Sequence, residues 1–141
     1  MRKPPAGAFA ALALAAPLAT TLPVSAQTSM NVTPVEIAQL PRFCWAQLQV
    51  PNATGDEFRI IDCGPAANHY CSGLIYMLRA KGHVNKQTRS DLLGHADVDV
   101  RYTEKAIADY PKCSIRQDVA NTRVELDHLR TIFGVAGPKA K

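Results

Sequence analysis

The sequence predicts an all-α fold: a small disulfide-stapled bundle of three main helices, preceded by a short N-terminal helical segment. Three observations predict it. Apolar residues recur at steps of three and four through three separate stretches. Four cysteines, Cys44, Cys63, Cys71 and Cys113, follow an N-terminus with the pattern of a secretory leader. Subtracting that leader removes 26 of 141 residues and leaves 115, enough for one core and too few for two.

The leader consists of Arg2 and Lys3, an apolar run over residues 6–22, and Val24-Ser25-Ala26. Cleavage is expected before Gln27, giving a signal peptide over 1–26 and a single helical domain over 27–141 with a loose tail from about 135. The run is interrupted by Pro17 and Pro23, where a spanning helix needs roughly 20 apolar residues, so a retained anchor is not expected. No cysteine follows the cut to carry a lipid, and no second arginine makes a twin-arginine signal. The expected location is periplasmic or secreted, with no membrane association after cleavage. In such an oxidising compartment the cysteines read as two disulfides rather than as metal or catalytic thiols.

Losing Arg2 and Lys3 takes the net charge from +4 to +2, spread without a basic block. A nucleic-acid partner is therefore not expected. Arg79, Lys81, Lys86 and Arg89 gather near one helix junction and read as a solvated helix end whose cations complement the dipole.

Along the chain, Thr33, Pro34 and Glu36 form an N-cap, a first helical position and a capping box. Pro41 restarts a helical turn carrying Phe43, Cys44, Trp45 and Leu48, with Trp45 as a core anchor. Residues 49–66 are punctuated by Pro51, Gly55, Gly64 and Pro65 and read as a loop, in which 58–61 pairs briefly as a strand. The glycosylation patterns at Asn31 and Asn52 matter only in a eukaryotic secretory pathway and are discounted beside the Ala-rich, bacterial-looking leader.

The first main helix is predicted over 67–80, with Ala67, Cys71, Leu74 and Leu78 on one face and Gly82 as C-cap. The second opens on a capping box at Thr88-Arg89-Ser90-Asp91, and Leu93, Ala96, Val100, Thr103, Ile107 and Tyr110 follow at three and four until Pro111. Gly94 weakens it by about 1 kcal/mol. Residues 96–102 also alternate as a strand does, but Asp97 and Arg101 sit four apart and favour the helix. Asp97 and Asp99, on different faces, are assigned to solvation and to pairing with Arg101. The third helix opens on Ser114 and Gln117, and Ile115, Val119, Thr122, Leu126, Leu129 and Phe133 form its apolar seam until Gly134. Arg116, Arg123, Asp127 and Arg130 form its polar side. Thr103 and Thr122 within the seams are read as bonding the helix backbone.

Three helices on short links pack as an up-down-up bundle, which places Cys113 near both Cys63 and Cys71. Over a continuous helix Cys63 and Cys71 would lie about 12 Å apart, beyond disulfide reach. A sharp turn at Gly64-Pro65 would keep that bridge open. The favoured pairing is Cys44 with Cys71 and Cys63 with Cys113, since the second joins two loop residues at one end of the bundle.

The densest chemistry lies between Cys63 and Cys71, where Asn68, His69 and Tyr70 open a helix and could line a ligand pocket. A metal there would need a fourth ligand and reduced thiols. Neither C-x-x-C-H nor C-x-x-C occurs, so covalent haem and thioredoxin-like exchange are excluded. His69 is read as bonding a backbone group at the helix start, and His83, His95 and His128 as surface histidines. No nucleophile elbow, phosphate loop, H-E-x-x-H or defensible carboxylate pair occurs. No catalytic residue, metal or cofactor is assigned.

Cys63-Gly64, Asn68-His69-Tyr70-Cys71, Gly73-Leu74 and Arg79-Ala80-Lys81 together resemble a segment of exported bacterial proteins of undetermined function. Some of these continue into tetratricopeptide-like helices, and residues 106–111 resemble the end of such a repeat. The 33 residues from Gly73 to Ala106 depart from the spacing inside one repeat, and a stack needs at least three units. The resemblance implies an interaction scaffold. The sequence is thus read as an exported, non-enzymatic module whose partner is another protein, the alternative being a ligand-binding protein or enzyme with a pocket around His69.

Overall fold

The computed structural model describes residues 30–135. The leader, its cut site and the tail beyond 135 lie outside these residues. Helix α1 spans Pro34–Gln39, α2 His69–Gly82, α3 Lys86–Ala106 and α4 Arg116–Phe133, with 3-10 turns at Arg42–Cys44, Asp56–Phe58 and Pro65–Asn68. This is the small, disulfide-stapled all-α bundle that the periodicity predicts. Residues 96–103, ambiguous in sequence, are helical.

The caps follow the sequence in part. Thr33 Oγ1 accepts from the Glu36 N–H at 3.2 Å and Glu36 Oε2 accepts from the Thr33 N–H at 2.7 Å, so the capping box of α1 is complete. Helix α3 starts earlier than its supposed box at Thr88: Asn85 caps it, its side chain accepting from the Thr88 N–H at 3.0 Å. Helix α4 begins without a side-chain cap, because Ser114 is used elsewhere. Its hydroxyl accepts from the Ile61 N–H at 3.0 Å, while its own N–H donates to the Ile61 carbonyl at 3.0 Å. That exchange replaces the strand expected at 58–61, where the chain makes a 3-10 turn ending at Phe58. Gly82 closes α2 from inside the helix and His83 is the cap, whereas Gly134 caps α4 with a φ of 60°.

Helix α2 lies antiparallel against α3, and α3 against α4. Gly73 permits the first crossing: a Cβ there would stand 3.3 Å from both Asp99 Cβ and Val100 Cγ2. Leu93, Ala96, Val100, Thr103 and Ile107 are buried as predicted, as are Ile115, Val119, Thr122, Leu126 and Leu129. The predicted face of α2 is corrected, since Leu74 and Leu78 are half-buried while Tyr70, Ile75 and Met77 are buried. The helix packs on α3 and also on the N-terminal segment, where Leu40, Cys44, Cys71 and Ile75 cluster. A helix wedged between two neighbours buries more than one stripe. Tyr110 lies beyond the end of α3 and is 39% exposed, its ring over Gly64.

The disulfides join Cys44 to Cys71 and Cys63 to Cys113, with Cα atoms 5.6 and 4.4 Å apart. Gly64, at a φ of 72°, turns the chain between Cys63 and the 3-10 turn that leads into α2.

Arg116 and Asp127 are exposed, as the polar side of α4 predicts, but Arg123 and Arg130 turn inward to meet Asp97 of α3. Asp97 is 1% exposed and accepts from Arg123 Nη1 at 2.6 Å, from Arg130 Nη1 at 2.8 Å and from Arg101. Arg123 also holds Glu104 at 2.9 Å. Burial pushes the Asp97 carboxyl up, and the bonds from Arg123 and Arg130, with the charges of Arg130 and Arg101, more than reverse it. The carboxyl ends below its ordinary range. Asp97 therefore does more than pair with Arg101 on the surface. Arg116 is likewise committed, donating to the carbonyls of Ile107 at 2.6 Å and Tyr110 at 2.9 Å just beyond the end of α3.

Candidate functional site

The three residues expected to share a pocket at the start of α2 point three ways. Tyr70 faces inward, with 1% exposure, and its hydroxyl meets Thr122 Oγ1 at 2.7 Å. Burial pushes its phenol up to about 12. Thr122 is thus satisfied by a side chain, whereas Thr103 bonds the Asp99 carbonyl four residues back, as read from sequence. His69 turns toward α3, where Nδ1 lies 3.2 Å from Asp99 Oδ1 and the ring lies 4.4 Å from that of Tyr102. The expected backbone partner is replaced by a carboxylate, because the close crossing at Gly73 brings Asp99 within reach. Only Asn68 lines an open recess.

That recess is a groove of about 250 Å³ built from three segments that carry no periodicity. Phe43, Ala46 and Gln47 form one wall, Phe58, Arg59 and Ile60 a second, and Gly64, Pro65, Ala67 and Asn68 the floor. Each part has a local reason to be where it is. The Cys44–Cys71 bridge ties the first wall to α2, and the Cys63–Cys113 bridge anchors the chain between the second wall and the floor. The Ala46 N–H donates to the Phe58 carbonyl at 3.2 Å, joining the two walls. Gln47 Nε2 donates to the Asn68 carbonyl at 2.5 Å, joining wall to floor. Trp45 is half-buried and stacks on Phe58 at 5.7 Å, behind the groove rather than in the core. Its Nε1 is buried with no hydrogen-bond partner among the described residues.

The lining holds aromatic and aliphatic side chains, two carboxamides and one guanidinium. It holds no imidazole, carboxylate, thiol or hydroxyl. The arrangement can therefore offer shape, apolar contact and hydrogen bonds, but none of the groups that usually carry protons or attack carbonyls. Cys63, His69 and Cys71 cannot act as a metal set, because both sulfurs are in disulfides. Among the described residues no group of three or more His, Cys, Asp or Glu side chains could hold a metal ion, and no helix is long and apolar enough to cross a membrane.

Of the other residues singled out in sequence, His95 stacks on Tyr76 at 5.1 Å, repeating seven residues along each helix the pair made by His69 and Tyr102. His83 and His128 are exposed. The basic junction is mostly tied down rather than solvated. Arg79 holds Glu36 at 2.6 Å, Lys81 holds Glu125 at 2.5 Å, and Arg89 bonds the His83 carbonyl while lying 4.0 Å over the Phe133 ring. The Arg79 guanidinium, with the bond from the Thr33 N–H, draws the Glu36 carboxyl down to about 2.

Sequence reasoning missed Phe43, Gln47, Phe58, Arg59 and Ile60 as site residues. The available signal was the apolar Phe58, Ile60 and Ile61 inside a segment otherwise rich in turn formers. No family model matches the chain, and no curated protein or solved structure matches it.

Proposed function

We propose that this chain is an exported, non-enzymatic binding module that recognises another protein. The observation that carries the reading is the groove: a recess of about 250 Å³ with mostly apolar walls pinned by two disulfides and no carboxylate, imidazole or nucleophile in its lining. Its size supports a side chain as occupant. A cavity of about 150 Å³ holds a benzene ring, and small-molecule sites run from about 300 Å³ upward. The covalent bracing supports recognition too, since walls fixed before contact spare the entropy of ordering them on binding. Export is supported by the leader pattern together with two disulfides.

The test is photo-crosslinking in cells that secrete the protein, with a benzophenone side chain at Ile61, exposed beside the groove, and at Val124, exposed on α4. The expected result is a discrete protein adduct from position 61 that is absent from position 124. Equal adducts from both positions, or none from either, would sink the reading.

A further inference from the structure

We infer that the groove reads the carboxyl terminus of a polypeptide whose last side chain is apolar. The inference rests on the protein-binding reading above and narrows it to one kind of partner. Eight arginines fall within residues 30–135. Six of them bond to carboxylates or backbone carbonyls. The side chains of Arg42 and Arg59 bond to none of the described residues, and only Arg59 lines the groove.

No acidic side chain lines it with Arg59. The nearest in sequence, Asp56, Glu57 and Asp62, are exposed, the first two on the preceding 3-10 turn, and none bonds Arg59. The Glu57 carboxylate folds back over Gly55, so close that a Cβ at Gly55 would meet Oε2 at 2.3 Å. A guanidinium left without a carboxylate, beside an apolar recess, complements a carboxylate joined to an apolar body.

Asn68 distinguishes a chain terminus from a free acid. Its backbone carbonyl is taken by Gln47, but its carboxamide bonds to no described residue. A carboxamide presents a donor and an acceptor side by side and pairs with the N–H and C=O of a peptide unit. The peptide unit beside a terminal carboxylate supplies that pair, whereas a free aliphatic or aromatic acid does not. The volume of the recess fits one ring-sized side chain with its carboxylate.

Trp45, the one tryptophan, stacks on the groove residue Phe58, so its fluorescence reports on the groove. The probes are acetyl-Gly-Gly-Phe and acetyl-Gly-Gly-Leu as free acids, the same two peptides as C-terminal amides, and phenylacetate, titrated into the oxidised protein. At least one free-acid peptide is expected to saturate, with its amide and phenylacetate each about tenfold or more weaker. Arg59→Gln is expected to abolish the difference between acid and amide while leaving the melting temperature unchanged, since the Arg59 side chain is exposed and has no partner among the described residues. Asn68→Ala is expected to bring the peptide acid down to the level of phenylacetate.

Equal binding of acid and amide would overturn the inference. So would phenylacetate binding as tightly as the peptides, which would make the groove a site for small acids. Silence from every probe up to about 10 mM, too weak for recognition, would also overturn it. A protein adduct at position 61 alongside such silence would leave the protein-binding reading standing and remove only the terminus.

Discussion

Asp97→Asn removes one negative charge from the centre of the α3–α4 contact and leaves the side chain's shape almost intact. Three guanidiniums then face each other without the carboxylate, and breaking a buried pair from one side costs about 3–5 kcal/mol. The structure selects the lower end of that range. Arg101 and Arg123 keep 45% and 22% of their side-chain exposure and can turn toward water, whereas Arg130 keeps 9% and cannot. The expected loss is about 3 kcal/mol, or roughly 10–20 °C in melting temperature for a domain of this size. Because the folded carboxyl lies below its unfolded value, its contribution is present above that value, about pH 3.9, and is lost as pH falls through the folded one. Urea unfolding followed by far-UV circular dichroism, with disulfides intact, measures the gap between wild type and variant at each pH. A loss under about 1 kcal/mol at neutral pH, or a gap that stays constant down to about pH 2, would refute the argument.

The other predictions concern parts of the fold that act separately. Gly64→Ala forces a φ of 72° on a residue with a Cβ and drives that Cβ to 2.6 Å from the Tyr110 ring, so it should cost more than the roughly 1–2 kcal/mol of the backbone strain alone. Adding Tyr110→Ala should recover the clash and not the strain, as a double-mutant cycle by thermal melting will read. Replacing Cys63 and Cys113 with serine should cost about 4 kcal/mol and replacing Cys44 and Cys71 about 3.5 kcal/mol by the loop-closure relation for separations of 50 and 27, measured by urea unfolding. The Glu36 carboxyl sits near 2, so the capping box and the tie to Arg79 should persist well below pH 4 and fail as pH falls toward 2. Protection factors for hydrogen exchange at the Glu36 and Ile37 amides should fall only there, and Glu36→Gln should lower them at neutral pH. Tyr70 should ionise only near pH 12 in an absorbance titration. Its phenol is raised, so stability should fall as pH climbs above about 10.

The helices were legible because they follow from short-range regularities: Leu93, Ala96, Val100 and Thr103 mark one face by spacing alone. The disulfide pairing was favoured from the bundle topology that brings two loop cysteines to one end, while spacing left Cys63 with Cys71 open through the turn that Gly64 does make. Asp97 was misassigned because sequence neighbours offer it only Arg101. Arg123 and Arg130 arrive from 26 and 33 residues away, and only the packing of α4 on α3 brings them in. Ser114 resembled a cap for the same kind of reason, since its competing partner Ile61 lies 53 residues earlier. The groove was the least legible part. Its walls come from turns whose side chains obey no period, and their meeting depends on two bridges and on bonds such as Gln47 to Asn68.

The order of the cysteines along the chain, 44, 63, 71 and 113, makes the two bridges interleave. A chain oxidised in the order in which it emerges would join Cys44 to Cys63 first, because Cys71 is still to come. Neither native bond links consecutive cysteines, so any pairing made that way has to be undone by thiolate attack and remade. Maturation therefore depends either on oxidation held back until α2 has formed or on an isomerase that reshuffles early bonds. A host supplying an oxidant alone would accumulate the consecutive isomer, with Cys44 bound to Cys63 and Cys71 to Cys113.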